Sequence, residues 1–404
     1  MSHDPPTICF PFSGDLVGGS HFSVLGLIRN LDPERFRPLI LVQDENSAIA
    51  ALFRDNAIPV NAAPPSPPLV HGKRLSLFDL ARLAASFRRL STALRGYDID
   101  IVHTNDGRSH ATWAAPARMA GKGLVWHHRG DADALGVRYC ARFLADEVIS
   151  VSEYALSRSG WFSAKAKQVI HSPFDIDMRY ERTAARDALI EEIACAPGAR
   201  LIGFSGVLID RKRPLLFVDA IAALRQLRPG LVIQGVLFGE ELEITRATIM
   251  ARARALNIED AIHVLGFRTP GARCLAACDI LLVPAINEPF GRTLIEAMLV
   301  GTPVVATRSG GNIEALRGGS LGLLVAPDDA DAMARALARL VDQPLWCDVL
   351  CQLAGEDARR RYGETRHAMQ VMAVYDRVIA DRERSLRRGS AHPGKSRRLG
   401  ATRG

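Results

Sequence analysis

The sequence is poor in cysteine, aromatic residues and long apolar runs, and each shortage excludes a class of protein. Its seven cysteines are an odd number without a C-x-x-C pair, which argues against a disulfide framework and against a zinc site. We interpret them as small buried residues or as free thiols in a reducing compartment. Aromatic residues make up 6% of the chain and offer few surfaces for stacking bases, so no nucleic-acid partner is expected.

Long apolar segments are missing as well. No run approaches the roughly twenty apolar residues that a membrane-spanning helix needs. The opening residues, M-S-H-D-P-P-T, lack the basic and apolar stretches of a signal peptide, so we expect a cytoplasmic protein. What the chain has in excess is positive charge. Its formal net charge of +7 by itself allows contact with anionic lipid, with nucleic acid or with phosphorylated substrates.

The length and pattern of the chain predict two α/β domains. With 404 residues, the chain is too long for one ordinary core and suits two domains of similar size. Short apolar runs alternate with segments of helical spacing, as in doubly wound parallel sheets. The predicted strands span 7–12, 38–42, 100–104, 124–127, 147–151, 201–204, 231–238, 261–265, 280–283 and 302–306.

Two glutamates bracket the loop and helix start that follow the predicted strand 280–283. Glu288 lies in the loop and Glu296 about one turn into a helix predicted over 293–300, so both can face one crevice above the sheet edge. Between them, backbone N–H groups at the helix start favour a phosphate, because they are unpaired and lie at the positive end of the helix dipole. This arrangement suits a ligand with hydroxyls and phosphates, such as a nucleotide sugar. An ordinary strand–loop–helix unit is the structural alternative.

The same segment contains the string E-P-F-G-R-T-L-I-E-A-M from Glu288, followed by G-T-P-V-V from Gly301 and by Gly310-Gly311. This string resembles the E-x7-E motif of the retaining glycosyltransferases of family 4. The resemblance implies an α/β protein of the GT-B fold, in which two Rossmann-like doubly wound domains face each other across a crevice and a C-terminal helix crosses back to the first domain. It also implies metal-independent transfer of a sugar from a nucleotide sugar, UDP- or GDP-linked, with retention of configuration and no further cofactor.

The resemblance assigns a role to each part of this motif. Glu288 would orient the donor sugar, and Glu296 would hydrogen-bond the ribose. The backbone between them would hold the sugar hydroxyls and the diphosphate, through Phe290, Gly291, Arg292, Thr293 and Leu294. Phe267, in a loop after a predicted strand, is similarly placed to receive the nucleobase.

A further loop resembles the family segment that holds the donor diphosphate with an arginine and, five residues later, a lysine. Lys212 matches the lysine, whereas Val207 occupies the arginine position. Arg211 or Arg213 could supply the missing cation, with Arg129 as a more distant candidate. Positive charge is needed here because the leaving diphosphate gathers negative charge as the glycosidic bond breaks.

Gly18 and Gly19 lie between the first predicted strand and a helix predicted over 21–31. Without side chains, they would let the backbone approach a diphosphate. Their position resembles the Gly-Gly loop that closes on the donor phosphates and the acceptor in the family. A plain strand–helix turn is the alternative.

His128 and Arg129 follow the predicted strand 124–127. The family usually has a histidine here that touches the donor sugar and its phosphate. In this sequence Arg129 takes that position and His128 precedes it. An arginine complements phosphate charge, while a histidine donates to a sugar oxygen or exchanges a proton, and a structural role for both residues stays open.

Ser76 and Asp79 form a capping-box pattern at the start of an amphipathic helix predicted to end at Arg95. This segment is strongly basic, and its cations are Lys73, Arg74, Arg82, Arg88, Arg89 and Arg95. In related enzymes such a helix meets the membrane that holds a lipid-linked acceptor, so residues 76–95 are a candidate for peripheral contact with an anionic membrane. A solvated face on a core helix is an equally simple interpretation.

We therefore expect four parts along the chain. Residues 1–172 would form an acceptor-binding domain and residues 173–361 a nucleotide-sugar-binding domain. A helix over 362–381 would cross back to the first domain. The basic segment 382–404 would be disordered, because it lacks apolar periodicity.

The acceptor expected for such an enzyme is a cell-surface polysaccharide, lipopolysaccharide or lipid-linked saccharide intermediate. Two other classes stay open: a nucleotide-sugar 2-epimerase of the same fold, which would need no acceptor, and a non-catalytic nucleotide-sugar-binding scaffold. The E-P-F-G string argues against the epimerase, and the intact Glu288 and Glu296 argue against the scaffold.

Overall fold

Two parallel sheets, each flanked by helices, form the frame of the protein. The structure is a computed structural model that describes residues 4–15, 17–69, 76–157 and 167–390. Lys73 and Arg74 of the predicted basic segment lie outside these ranges, as do residues 391–404 of the predicted tail.

The described residues form an N-terminal sheet of seven parallel strands. They are β1 (Thr7–Phe12), β2 (Arg37–Val42), β3 (Val60–Ala62), β4 (Ile101–Thr104), β5 (Gly123–His128), β6 (Glu147–Ser150) and β7 (Lys167–Val169). Their order is β3-β2-β1-β4-β5-β6-β7, so the winding reverses between β1 and β4. The carboxyl ends of these two strands open a crevice of the kind where doubly wound sheets bind ligands.

The C-terminal sheet repeats this design with β8 (Arg200–Ser205), β9 (Ile233–Phe238), β10 (Ile262–Gly266), β11 (Ile280–Val283), β12 (Val304–Thr307) and β13 (Leu323–Val325). The order is β10-β9-β8-β11-β12-β13, and the winding reverses between β8 and β11. The loops that follow these two neighbouring strands therefore meet at one crevice.

Helices cover both faces of each sheet. Those of the N-terminal half are α1 (Gly19–Arg29), α2 (Ala48–Arg54), α3 (Leu77–Gly96), α4 (Gly107–Met119), α5 (Ala141–Leu144) and α6 (Glu153–Leu156). Those that follow are α7 (Arg182–Glu192), α8 (Pro214–Leu227), α9 (Arg246–Ala255), α10 (Gly271–Ala277), α11 (Arg292–Leu299), α12 (Asn312–Ala315), α13 (Ala330–Asp342), α14 (Pro344–Tyr362) and α15 (Glu364–Ser390). Because both faces are covered, central strands such as β1 are buried along their whole length.

Three strands that the sequence did not predict lie at the edges of the sheets: β3, β7 and β13. Each has three residues, and none of those residues is fully buried. An edge strand of this length needs no apolar run, so its sequence gives no signal that differs from a loop.

The predicted capping box at the start of α3 is present. The Asp79 N–H donates to Ser76 Oγ at 3.2 Å, and the Ser76 N–H donates to Asp79 Oδ2 at 2.9 Å. Two of the unpaired backbone donors at this helix start are satisfied in this way.

Helix α15 crosses back to the N-terminal domain, as the family resemblance implied. Its side chains Val371, Val374 and Val378 are buried in one cluster with Ile8 and Phe10 of β1. This contact makes the last helix part of the core of the first domain.

The helix also continues to Ser390, beyond its predicted end at Asp381. Residues 382–390 are therefore helical rather than disordered. Arg382 donates to the Gly121 carbonyl, and its Nη1 lies 4.0 Å from Asp146 Oδ2. These polar contacts hold the beginning of the extension. Apolar periodicity has ended there, which explains why the sequence pattern did not show this part of the helix.

Candidate active site

The loop after β11, which contains Glu288, is tied to its surroundings through its backbone. The Gly311 N–H donates to the Glu288 carbonyl at 2.7 Å, and the Asn287 N–H donates to Ser309 Oγ at 2.9 Å. On the other side, the Ile286 N–H donates to the carbonyl of Arg211 at 3.0 Å. The loops after β8 and β12 thus fix the backbone of the loop that contains Glu288.

The Glu288 carboxylate contacts two cations from the loop after β8. Its Oε2 lies 2.6 Å from Lys212 Nζ and 2.9 Å from Arg211 Nη1, and its side chain is only 11% exposed. Burial alone would raise the pKa of Glu288, but the charges of Lys212 and Arg211 outweigh burial and hold that pKa below its usual value. Glu288 is therefore a buried carboxylate that stays ionised.

The structure distinguishes the cations that could replace the arginine missing at Val207. Arg211 contacts the same oxygen of the Glu288 carboxylate as Lys212 does. Arg213 instead forms ion pairs with Asp210 at 2.6 Å and with Asp328 at 3.1 Å. Of these two neighbours of Lys212, Arg211 is the one that the fold brings to Glu288.

The predicted anion site at the start of α11 has a defined backbone. Gly291 caps the helix with φ at +80°, a left-handed conformation that favours glycine. The Leu294 N–H donates to the Gly291 carbonyl at 3.1 Å, so it is paired and is not the unpaired donor that the sequence predicted. Arg292 and Thr293 are the first two residues of the helix and therefore precede its first intrahelical hydrogen bond.

Phe290 anchors the loop rather than lining the crevice. Its side chain is buried, and its ring lies 5.4 Å from His171 and 5.5 Å from Tyr362 between centroids. The backbone that follows Phe290 is thereby held against a rigid aromatic cluster.

Glu296 lies one turn into α11, with its Oε1 3.6 Å from Arg292 Nη2. Burial raises the pKa of Glu296, although the charge of Arg292 opposes the shift. The two motif glutamates thus differ: Glu288 is paired closely with two cations, and Glu296 is paired loosely with one.

The glycine loop of the N-terminal domain approaches α11. Gly18 caps α1, and its N–H donates to His21 Nδ1 at 2.9 Å. A Cβ added to Gly19 would lie 2.7 Å from Arg292 Cδ, so a larger residue at this position would collide with that side chain. In this structure Gly19 makes room for an arginine of the other domain; Leu16, in the same loop, is outside the described residues.

The His128 side chain is turned toward its own loop. It is buried, and its Nε2–H donates to the carbonyl of Asp131 at 2.9 Å. Burial lowers the pKa of His128, so the ring is neutral at pH 7.

Arg129 is held only by neutral acceptors in the part of the chain that the structure describes. Its guanidinium donates to Asn105 Oδ1 at 3.3 Å, to Ser172 Oγ at 3.1 Å and to His127 Nδ1 at 3.1 Å. Burial and the charge of Arg292 lower the pKa of Arg129 to about 9, which keeps it protonated at pH 7. Its positive charge is not neutralised by a carboxylate contact among these partners.

Phe267 follows the edge strand β10 and is 70% exposed. The neighbouring Arg268 pairs with Glu192 of α7. The nucleobase role of Phe267 stays a prediction.

Contacts between the two domains, which the sequence did not predict, hold the Glu288 loop and α12 from the N-terminal side. Ser152 Oγ donates to the carbonyl of Pro289. Glu314 accepts from the Glu153 N–H at 2.8 Å and lies 2.6 Å from His171 Nε2. The partners are far apart in sequence, so no local pattern could have identified them.

All seven cysteines are free thiols, and the described residues contain no group of three or more metal-ligating side chains.

Gly310 supports the position of Glu288, and Gly301 provides a matched comparison. Both have positive φ, at +58° and +76°. A Cβ at Gly310 would lie 2.5 Å from the Glu288 carbonyl oxygen, whereas a Cβ at Gly301 would meet nothing within 4 Å. We therefore expect Gly301→Ala to cost roughly 1–2 kcal/mol of unfolding free energy from backbone strain, and Gly310→Ala to cost about 1–3 kcal/mol more.

Urea unfolding of the two variants beside the wild type measures this difference. Equal losses for Gly301→Ala and Gly310→Ala would show that the close approach of Gly310 to the Glu288 backbone is not important.

Comparisons with known proteins place this site in a family context. Residues 185–362, which include Lys212, Glu288 and Glu296, match the family model described as Glycosyl transferases group 1. The chain is 31% identical over 209 residues to the D-inositol 3-phosphate glycosyltransferase of Actinosynnema mirum, covering 50% of each protein. It is 34% identical over 204 residues to the lipopolysaccharide core biosynthesis mannosyltransferase LpsB of Rhizobium meliloti, covering 50% of this chain and 57% of LpsB. The chain thus spans about half the length of the curated relatives it matches.

The fold is similar to that of solved proteins along nearly its whole length. HepE of Anabaena, solved in complex with UDP and glucose, superposes with a TM-score of 0.77 at 22% identity, covering 91% of this chain and 99% of HepE. Sucrose-phosphate synthase of Thermosynechococcus elongatus has a TM-score of 0.75 at 21% identity, covering 93% of this chain and 100% of that protein. At these identities the likeness concerns the fold alone, and it confirms the expected GT-B fold.

Proposed function

We propose that this protein is a glycosyltransferase that transfers a hexose from a nucleotide sugar to a saccharide acceptor, with retention of configuration. The main support is the contact of Glu288 with Lys212 and Arg211 next to the start of α11. This contact brings a carboxylate, two cations and a helix N-terminus together in the segment that matches group 1 glycosyltransferases. A nucleotide sugar presents the complementary groups, which are hydroxyls and a diphosphate.

Donor binding would redistribute the charges of this cluster. Lys212 and Arg211 would contact the diphosphate and give up part of their contact with Glu288. The backbone N–H groups at the start of α11 would donate to the same diphosphate. Glu288 would then accept hydrogen bonds from the donor sugar, and Glu296 from the ribose. Phe267 would lie beside the nucleobase, which we propose to be uracil or guanine.

The transfer itself would depend on stabilising the leaving group. The bond from the anomeric carbon to the phosphate oxygen breaks, and its electron pair stays on the phosphate. The acceptor hydroxyl bonds to the same face of that carbon, and its proton passes to the departing phosphate. Lys212 and Arg211 would stabilise the charge that gathers there, so we propose that no metal is required.

Of the two candidates at the carboxyl end of β5, we assign the role beside the donor phosphate to Arg129. Its charge is held by Asn105, Ser172 and His127, none of which neutralises it. The ring of His128 already donates to a carbonyl of its own loop, which leaves it a positioning role.

The first test is a thermal-shift panel of UDP, GDP, ADP and their common sugar derivatives on the wild type and on Glu296→Ala. Glu191→Ala, which changes an exposed position on α7, is the control. A ligand at about 100 times its Kd stabilises the folded state by about 2.7 kcal/mol. We expect one nucleotide class to stabilise the wild type and Glu191→Ala. Glu296→Ala should bind that nucleotide about tenfold more weakly or worse, because a hydrogen bond to a charged group is lost.

Equal stabilisation of the wild type and Glu296→Ala would contradict the ribose assignment. Stabilisation by none of these nucleotides would contradict a nucleotide-sugar donor. Conversion of the nucleotide sugar without any acceptor would instead indicate the 2-epimerase.

We propose a cell-surface polysaccharide, lipopolysaccharide or lipid-linked saccharide intermediate as the acceptor, handled by a cytoplasmic enzyme at the inner face of the membrane. Among the described residues, no helix is long and apolar enough to cross a bilayer. The start of the basic helix α3 nevertheless exposes Leu77 (87%) and Phe78 (69%), and the Arg82 guanidinium lies over the Phe78 ring. Apolar side chains beside arginines are typical of peripheral contact with anionic lipid.

A second surface of the same domain has this composition. It follows β5 and consists of exposed apolar or aromatic side chains interleaved with arginines, namely Leu135, Arg138, Tyr139, Arg142 and Phe143. Both surfaces lie on elements that share one buried cluster beneath the N-terminal sheet.

Vesicle sedimentation tests this membrane contact. We expect the double variant Leu77→Ser, Phe78→Ser to bind phosphatidylglycerol-containing vesicles about tenfold more weakly than the wild type, since two large apolar side chains leave the interface. Leu345→Ser, at an 82% exposed position of α14, is the control and should bind as the wild type does. Unchanged binding of the double variant would identify α3 as a solvated helix.

A further inference from the structure

The Arg292 side chain reaches from the C-terminal domain into the N-terminal domain. Its Nη1 donates to Ser23 Oγ of α1 at 3.0 Å and to the carbonyl of Pro173, in the connection between the domains, at 3.3 Å. The guanidinium carbon lies 4.2 Å from the centroid of the Phe174 ring, a distance typical of a cation–π contact. The first residue of α11 is therefore bound to α1 and to the interdomain connection at once.

The start of α1 is shaped to receive this side chain. Gly19 packs so closely on Arg292 that a Cβ would lie 2.7 Å from Cδ. Ser23 lies one turn further along α1, and its hydroxyl donates to the Gly19 carbonyl at 2.9 Å, which leaves its oxygen lone pairs free to accept from Arg292.

The second terminal nitrogen of the guanidinium, Nη2, faces Glu296. Nη2 lies 3.6 Å from Glu296 Oε1, and the two side chains are 27% and 22% exposed. An arginine that served only an ion pair along its own helix would be solvated and would need no partner elsewhere. Here the side-chain hydrogen bonds to Ser23 and Pro173 and the contact with the Phe174 ring tie Arg292 to the N-terminal domain and the connection.

We propose that Arg292 is a positioning residue that couples the occupancy of Glu296 by the donor nucleotide to the docking of α1 on the C-terminal domain. A ribose bound at Glu296 fixes that carboxylate, which fixes the guanidinium. The guanidinium in turn holds Ser23 and the glycine loop against the donor site. This inference rests on the proposed function, since it takes Glu296 as the nucleotide-binding residue.

Hydrogen–deuterium exchange of the full chain, with and without UDP and GDP, tests this coupling. In the wild type we expect the nucleotide that binds to slow the exchange of α11 and also of α1, which belongs to the other domain. Arg292→Ala should lose the protection of α1, with its amides exchanging about tenfold faster than in the nucleotide-bound wild type, because hydrogen bonds to a charged group are lost. Protection around Lys212 should persist.

Two further variants separate this coupling from direct contact of the nucleotide with the glycine loop. Ser23→Ala removes one acceptor of Arg292 without changing the glycines, and we expect it to lose part of the α1 protection. Arg225→Ala removes an exposed ion pair with Asp260 inside the C-terminal domain and should lose none.

Full α1 protection in both Arg292→Ala and Ser23→Ala would overturn the coupling and leave the proposed function intact. Absence of protection at both α11 and α1 with either nucleotide would contradict the proposed function and the coupling together. Arg292→Lys, which keeps the charge without the fork of donors, should give an intermediate loss.

Discussion

A buried carboxylate cannot remain ionised in a protein interior without positive partners, and this constraint organises the site. Glu288 satisfies it with Lys212 and Arg211. The three side chains come from the loops after β8 and β11. These two strands are neighbours in the sheet, and its winding reverses between them. The sheet topology therefore creates the contact. The contact in turn determines where a negatively charged group of a ligand can replace Glu288 as the partner of Lys212 and Arg211.

Glycines allow the close backbone packing that places the charged side chains of the site. Gly310 and Gly311 let their backbone approach the loop of Glu288 more closely than any Cβ would permit, and the Gly311 N–H holds the Glu288 carbonyl. Gly19 does the same for Arg292 across the domain boundary. At the domain boundary, a charged side chain is thus packed on bare backbone, an arrangement in which a ligand that binds near Arg292 influences the glycine loop.

Local patterns predicted most of the fold and part of the site. Apolar runs located the central strands, and the E-x7-E string located Glu288, Glu296 and the helix start between them. What the sequence left open or did not predict depends on contacts between distant segments. The choice of Arg211 over Arg213 follows from which side chain faces β11, and the reach of Arg292 to Ser23 follows from the docking of the two domains. Neither is encoded in spacing along the chain.

The central claim is that Glu288, Lys212 and the start of α11 form a nucleotide-sugar site. A crystal structure of the protein with a bound nucleoside diphosphate, UDP or GDP, tests it most directly. The account predicts the terminal phosphate within hydrogen-bonding distance of Lys212 Nζ and the N–H of Thr293, the ribose on Glu296, and a longer distance between Lys212 and Glu288. A nucleotide bound elsewhere, with the contact between Lys212 and Glu288 unchanged, would contradict it.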